Sequence, residues 1–540
     1  MLSQETQNLI EKYQLSYKSS QIKSDVPFIS VDEVASKVAG FYEKIKGVVD
    51  WREEHLLRKR AIERILKRKM ILQEKNETIA EPLVYELIRG GHFSNNSIPE
   101  TKIQDIQKIL NKYFFILDNS PENIKITKNK QKNNGKSKIQ DWLLNIASYE
   151  IEKTLSSTEK QEALTEYMTD LMEQRIKISQ GAIAFDGMTE QEKNIQIYIA
   201  ALRALLKFDE PTIIYYLILK QYPEWNNLST DSPLLLEIAK KLFIIQETII
   251  KQLKHPLSEN FFHICKQYNT SYLILDDIIT QDAIKAKENL ENPETLENLI
   301  KKSYSVKLIK LKSKIKRAAL YSTISIFLTK IGIALAIEVP VEKYLTGDFN
   351  VATLWINILL PPFLMLLLVI SIKPPKKENL DSVIMEIMKI VYQKQRKNVY
   401  EIKARRKKTG VLNTIISIIY CLTFIVSFVI IYKILQYLNF SAPSMAIFIF
   451  YFSIISFLGV KIRESSKELT IKKEKETIIF FILDFFTLPV LQMGRWFSKE
   501  LTKFNIGLFI TILIDMPFSF FLEFLEQWRY FLKEKKQKIH

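Results

Sequence analysis

Val411–Ile434 reads VLNTIISIIYCLTFIVSFVIIYKI, with a single charge, Lys433, near its end. A helix needs about 20 mostly apolar residues to cross the hydrocarbon core of a bilayer. A buried helix of a water-soluble protein could imitate one such run, but this run has company. Ala318–Ile337 is apolar apart from Lys330, Ala352–Ile372 is apolar with Pro361 and Pro362 near its middle, and Pro443–Val460 completes the set. Four runs packed into 143 residues predict an all-α, polytopic transmembrane domain.

The charges around these runs predict an orientation. Residues 301–317 carry eight basic side chains and no acidic one. The next connection, 338–351, carries Lys343 against Glu338, Glu342 and Asp348. Residues 373–410 hold twelve basic against four acidic, 435–442 hold none, and 461–476 hold six against four. Lys and Arg in short loops stay on the cytoplasmic side. The alternation therefore predicts that the first 300 residues face the cytoplasm of a plasma membrane. Met1–Lys23 is polar, with no apolar core of a signal peptide, so export by a cleaved signal is not expected. Cys265 and Cys421 are too few for a disulfide framework and suit a reducing compartment.

The net charge of +17 has the same explanation. Residues 1–300 hold 40 basic and 43 acidic side chains, while 301–540 hold 37 and 17. The whole excess flanks the apolar runs, where it orients spans and attracts anionic lipid headgroups. A nucleic-acid binder would carry its excess on the soluble part, so no nucleic-acid partner is expected. Gly is only 13 of 540 residues, against a usual share of about 7%, which argues against dinucleotide-binding folds and propellers.

The carboxyl end has two readings. Residues 477–496 surround Asp484 and include Pro489, and 504–528 contain Asp515, Pro517 and Glu523. They form either a fifth and sixth span, or a re-entrant or interfacial hairpin. The tail 529–540 is basic.

Residues 1–300 read as helices, with no strand pattern. Ser30–Glu33 and Thr189–Glu192 have the spacing of capping boxes. Pro233 after Ser232 and Pro293 after Asn292 read as first-turn prolines, and Gly90-Gly91 as a helix end. The polar, Lys- and Asn-rich stretch 119–138 reads as a linker between helical subdomains 1–118 and 139–317, followed by the membrane domain 318–528.

Chemical motifs are sparse. Gly135-Lys136-Ser137 lacks the earlier glycine and the preceding strand of a phosphate-binding loop. His255, His263 and Cys265 lack the spacing of a zinc site, and no Gly-x-Ser-x-Gly elbow occurs. No catalytic residue, metal or cofactor is assigned. Two features stand out. Arg52, Arg58, Arg60, Arg64 and Arg68 are five of the chain's fifteen arginines, and Leu56, Leu57, Ile62, Ile65 and Leu66 interleave with them at helical spacing. One face of that helix should pack. The other is a solvated face, or a patch for anionic lipid or an acidic partner. The second feature is the set of ionisable residues within apolar runs: Lys330, Asp484 and Asp515. Such groups are costly in lipid and are functional candidates by default. Lys330 lies about 18 Å from the inner end of its span, a depth similar to that of Asp515, and the two are expected to pair.

Val31–Met70 (VDEVASKVAGFYEKIKGVVDWREEHLLRKRAIERILKRKM) and Phe481–Glu534 (FILDFFTLPVLQMGRWFSKE…ILIDMPFSFFLEFLEQWRYFLKE) resemble bacterial multi-pass membrane proteins of no assigned function. The resemblance implies a bacterial inner membrane and supplies no catalytic motif. The expected role is a non-enzymatic membrane-anchored scaffold with a cytoplasmic protein partner. An ion- or proton-coupled transporter or channel, and a membrane-embedded enzyme, are the alternatives.

Overall fold

The computed structural model describes the chain outside residues 1, 22–25, 32–37, 39–52, 73–77, 122–131, 179–187, 347–350, 371, 373, 374, 376, 393–399, 403–409, 472–477, 504–515 and 538–540. The described residues are almost entirely helical. They divide into two compact units. The first comprises Met1–Leu296, Ile387–Ala404 and Asp515–His540, and the second Glu297–Glu386 and Arg405–Ile514.

In the first unit the helices are α1 (Gln4–Gln21), α2 (Glu54–Leu72), α3 (Ala80–Arg89), α4 (Thr101–Asn119), α5 (Lys132–Leu155), α6 (Glu159–Arg175), α7 (Glu190–Leu205), α8 (Glu210–Gln221), α9 (Pro233–Lys240), α10 (Leu242–Leu253), α11 (Ser258–Gln281) and α12 (Ala286–Glu291). Local chemistry sets their ends. Thr189 Oγ1 accepts from Glu192 N at 3.2 Å while the Glu192 carboxylate accepts from Thr189 N at 2.9 Å, the reciprocal capping box expected there. Pro233 opens α9. α3 ends at Gly90, and Gly91 follows with φ 74°, a left-handed value glycine adopts without penalty. Gly91 N and His92 N then donate to the Ile88 and Leu87 carbonyls. The Ser30–Glu33 box falls partly outside the described residues.

Apolar residues recur every three or four positions and meet in one core. Leu83, Val84, Leu87 and Ile88 of α3, Ile106, Leu110, Tyr113 and Ile116 of α4, and Ile146, Ala147 and Ile151 of α5 are buried together. That core takes in residues from Ile29 to Leu253, on both sides of the expected linker, and Lys132–Lys138 of that stretch begin α5. Among the described residues, one small sheet departs from the helical reading. β1 (Ile176–Ile178) pairs in parallel with β2 (Tyr400–Ile402), Ile176 facing Tyr400. Three residues per strand are too few for a period of two to show in sequence. The segment around β2 is tied in further, because Ser3 N donates to Val391 O at 2.9 Å and Tyr392 Oη to Leu290 O at 2.6 Å.

The second unit holds α13 (Pro293–Ile333), α14 (Val351–Ile370), α15 (Lys377–Tyr392), α16 (Gly410–Tyr437), α17 (Ala442–Ser466) and α18 (Ile478–Lys503); α13 starts, and α15 ends, in residues of the first. Asn292 caps α13, its Oδ1 accepting from Glu294 N at 3.0 Å and Thr295 N at 3.3 Å. Among the described residues, four helical segments are long and apolar enough to cross a membrane: Pro293–Tyr344, Val351–Ile370, Thr414–Tyr437 and Ala442–Ser466. They coincide with the four runs read from the sequence. Only 11% of the apolar window of Thr414–Tyr437 is buried, so this helix presents Ile418, Leu422, Ile425 and Val429 outward. Water would penalise that surface, whereas lipid would not.

A tight turn at Asn439 (φ 56°) joins α16 to α17, and Leu435, Phe440, Met445 and Phe448 form a small core there. α18 lies against α16 and α17. Ser427 Oγ donates to Phe486 O at 2.9 Å, and Tyr420 Oη to Gln492 Oε1 at 2.6 Å. Gly494 permits the close approach to α17: a Cβ there would stand 2.0 Å from the Ser453 carbonyl oxygen. The last helix, α19 (Met516–Gln537), belongs to the first unit.

Candidate functional site

The apolar unit encloses a polar cluster. It starts from Lys330 near the end of α13, whose side chain is fully buried and ion-paired to Glu338, itself fully buried. Each ion taken out of water costs several kcal/mol, which only a close partner and further hydrogen bonds offset. Glu338 has both. Asn357 of α14 donates from Nδ2 to Glu338 Oε2 at 2.9 Å, and the Lys330 ammonium lies 5.4 Å from the centre of the Tyr451 ring on α17.

The local backbone explains how Glu338 faces Lys330. Residues Ala334–Glu338 and Glu342–Thr346 form π-helical turns around a short stretch containing Pro340. Two turns of an α-helix use about seven residues. A π turn absorbs one more, so Glu338, eight residues beyond Lys330, returns to the same face. A second carboxylate follows one turn on. Glu342 accepts from Ser441 Oγ at 2.7 Å and from Ser444 Oγ at 2.5 Å, at the amino end of α17, where the helix dipole favours negative charge. One buried atom of the cluster, Asn357 Oδ1, has no hydrogen-bond partner among the described residues. The cluster therefore combines a buried cation, two carboxylates, an unpaired amide acceptor and two hydroxyls.

Of the ionisable residues expected inside the apolar runs, the structure builds this cluster around Lys330 alone. Asp515, expected as its partner, lies outside the described residues, and the cation pairs with Glu338. Asp484 lies on α18, and its side chain is outside the description. Glu338 and Glu342 were assigned to an outer connection and Asn357 was not singled out. Their signal was weak, because acidic residues beside Pro340 read as a loop.

The arginine-rich helix α2 packs through Ala61, Ile62, Ile65 and Leu66. Its cations meet carboxylates from distant helices. Arg58 donates to Glu152 Oε1 from Nε at 2.9 Å and Nη2 at 2.8 Å, and to Glu54 at 2.7 Å. Arg68 pairs with Glu86, Arg64 also has an interaction partner, Arg60 is exposed, and Arg52 lies outside the described residues. Beside Arg58, buried Lys59 donates to both oxygens of Asp209 at 2.7 Å. Burial lowers its pKa, and Asp209 opposes that shift.

A second buried network lies in the core of this unit. Glu150 accepts from Lys112 at 2.5 Å, Tyr113 Oη at 2.8 Å and Trp225 Nε1 at 3.0 Å. Lys112 also donates to Trp225 O at 3.0 Å. Lys112 and both carboxylate oxygens of Glu150 thus have partners, as in a structural buried pair. Cys265 is buried, its thiol pushed up to about 12 by burial, and Asp276 accepts from Tyr13 Oη at 2.7 Å. No protein-family model, curated protein or solved structure matches this chain.

Proposed function

We propose that this is a non-enzymatic, multi-pass protein of a bacterial inner membrane that holds its helical amino-terminal unit in the cytoplasm as a scaffold for a protein partner. The observation that carries the reading is the surface of α13. Lys301, Lys302, Lys310, Lys312, Lys316 and Arg317 are exposed on the helix that continues into the first apolar span, and no acidic residue lies among them. Cations in that position favour the cytoplasmic leaflet and its anionic headgroups, at about 1 kcal/mol each. The contact of Glu342 with Ser441 and Ser444 supports the topology, because it joins the end of the first span to the start of the fourth. The charge alternation requires those two ends on one side. Lysine crosslinking of the full-length protein in native membranes tests the scaffold. A recurrent partner crosslinked to residues 1–300 is the expected result. Crosslinks confined to the protein itself would remove the reading.

One observation favours a second reading, ion- or proton-coupled transport: Lys330 is fully buried and charge-paired among the apolar helices. Asp484 and Asp515 are its further candidates. Flux in proteoliposomes that Asp515→Asn abolishes would put transport first.

A further inference from the structure

We propose that α19 is an in-plane membrane anchor, whose aromatic face docks into the interface of an anionic bilayer surface while the helix lies parallel to that surface. The inference rests on the multi-pass reading above, which supplies the bilayer. It starts from the spacing of four rings. Phe521, Phe524, Trp528 and Phe531 follow one another at steps of three, four and three residues, which puts them on one side of the helix. Each is between 45% and 54% exposed. Phe524 stacks on Trp528 with centroids 6.3 Å apart, and Trp528 on Phe531 at 5.9 Å. The rings thus form a ridge along α19 that stays half-exposed, and a contiguous apolar ridge of this kind marks a docking surface.

The rest of the helix says what covers the ridge. Lys535 continues the same series, four residues beyond Phe531, and its ammonium lies 5.4 Å from the centre of the Phe531 ring. A lysine stem laid along an apolar surface carries its charged head out to the polar boundary. Arg529 and Lys536, each five residues beyond a ridge ring, stand about 140° around the helix from that ring and are exposed. Aromatic rings on one face with cations beside them are the composition of a helix lying in the headgroup region. Charge argues against a crossing helix. Seven of the 22 residues of α19 are charged, and hydrocarbon admits such groups only at high cost. Charge also selects the lipid, because residues 529–540 hold five basic side chains and one acidic, which anionic headgroups complement. Met516 is 13 residues beyond Lys503, where α18 ends, and 13 residues of chain reach at most about 45 Å. That short tether favours the bilayer over any partner free in solution.

The test is spin-label depth mapping on the full-length protein in nanodiscs of phosphatidylglycerol and phosphatidylcholine, with Cys421→Ala as background and Cys265 buried. Labels at Phe521→Cys and Phe531→Cys should meet membrane-dissolved oxygen at equal depth, and one at Tyr530→Cys should meet a water-soluble nickel chelate. Leu525→Cys with Leu532→Cys repeats the depth comparison without removing a ring. Depths that differ by about 15 Å between 521 and 531, the rise of ten residues, would make α19 a span and overturn the proposal. Labels on α19 that meet only the water-soluble agent, while one at Leu422→Cys on α16 stays in lipid, overturn it equally. Leu422→Cys in water would instead remove the multi-pass reading itself. Lys535→Gln with Lys536→Gln should lower the ratio of immersed to free label at 521 by about thirtyfold. A ratio left unmoved by that double change overturns the choice of an anionic surface.

Discussion

His55 shows how one buried ring links packing to pH. It lies on α2 with its ring edge-on to Phe208, centroids 5.0 Å apart, and its buried Nε2 has no hydrogen-bond partner among the described residues. Burial pulls its pKa down from 6.5 to about 4, with Glu53 pulling the other way. The sign follows from proton counting. Between these two values the unfolded chain binds a proton that the folded chain refuses, so stability falls as pH drops from 6.5 towards 4. The loss amounts to at most about 3 kcal/mol. His55→Phe keeps the aromatic contact and removes the titration. Its apparent Tm should therefore fall less between neutral and acid pH than that of the unmodified protein, as scanning fluorimetry would show. An unchanged slope would assign the acid sensitivity to other groups.

Close helix approach belongs to the element scale, where glycine positions grade the contact. A Cβ at Gly494 would collide with the Ser453 carbonyl at 2.0 Å and with the Phe457 Cβ at 2.9 Å. One at Gly459 would meet the Leu368 side chain, Cδ1 nearest at 3.0 Å, and one at Gly332 would meet nothing within 4 Å. Backbone yields poorly and side-chain ends yield easily. Gly494→Ala should thus destabilise the detergent-solubilised protein by about 1–3 kcal/mol, Gly459→Ala less, and Gly332→Ala not at all. Thermal unfolding of the three variants checks the order. Equal effects at 494 and 332 would mean that α17 and α18 do not pack this closely.

Helix ends and spans were legible because their causes are local. Thr189 and Glu192, Asn292 and Pro293, and Gly90-Gly91 each carry their instruction within four residues. Lys330 was legible for the same reason, as one charge in an apolar run. Its partners were not. Glu338 reaches it only through a π turn, which has no sequence signature, and Asn357 arrives on another helix. The carboxylates that engage the arginines of α2 were equally hidden, because Glu152 lies 94 residues from Arg58.

At the scale of the whole molecule, the charge alternation predicts which connections meet which compartment. With Cys421→Ala as background, Tyr344→Cys should react with a membrane-impermeant maleimide added to intact cells. Ser305→Cys should react only after lysis. Both positions are exposed, so differing access rather than burial would produce the contrast. The reverse pattern would place the helical unit outside and end the cytoplasmic reading. Gel-shift labelling measures both.

The unbroken course of α13 has a mechanical side. Lys301 and Lys330 ride on a single rod of 41 residues, which spans about 60 Å. Such a rod is a lever. A few degrees of tilt where the ammonium meets its carboxylate become a displacement of several ångströms at the far tip. A tilt of the rod at its apolar end would carry its lysine-studded end through the larger arc.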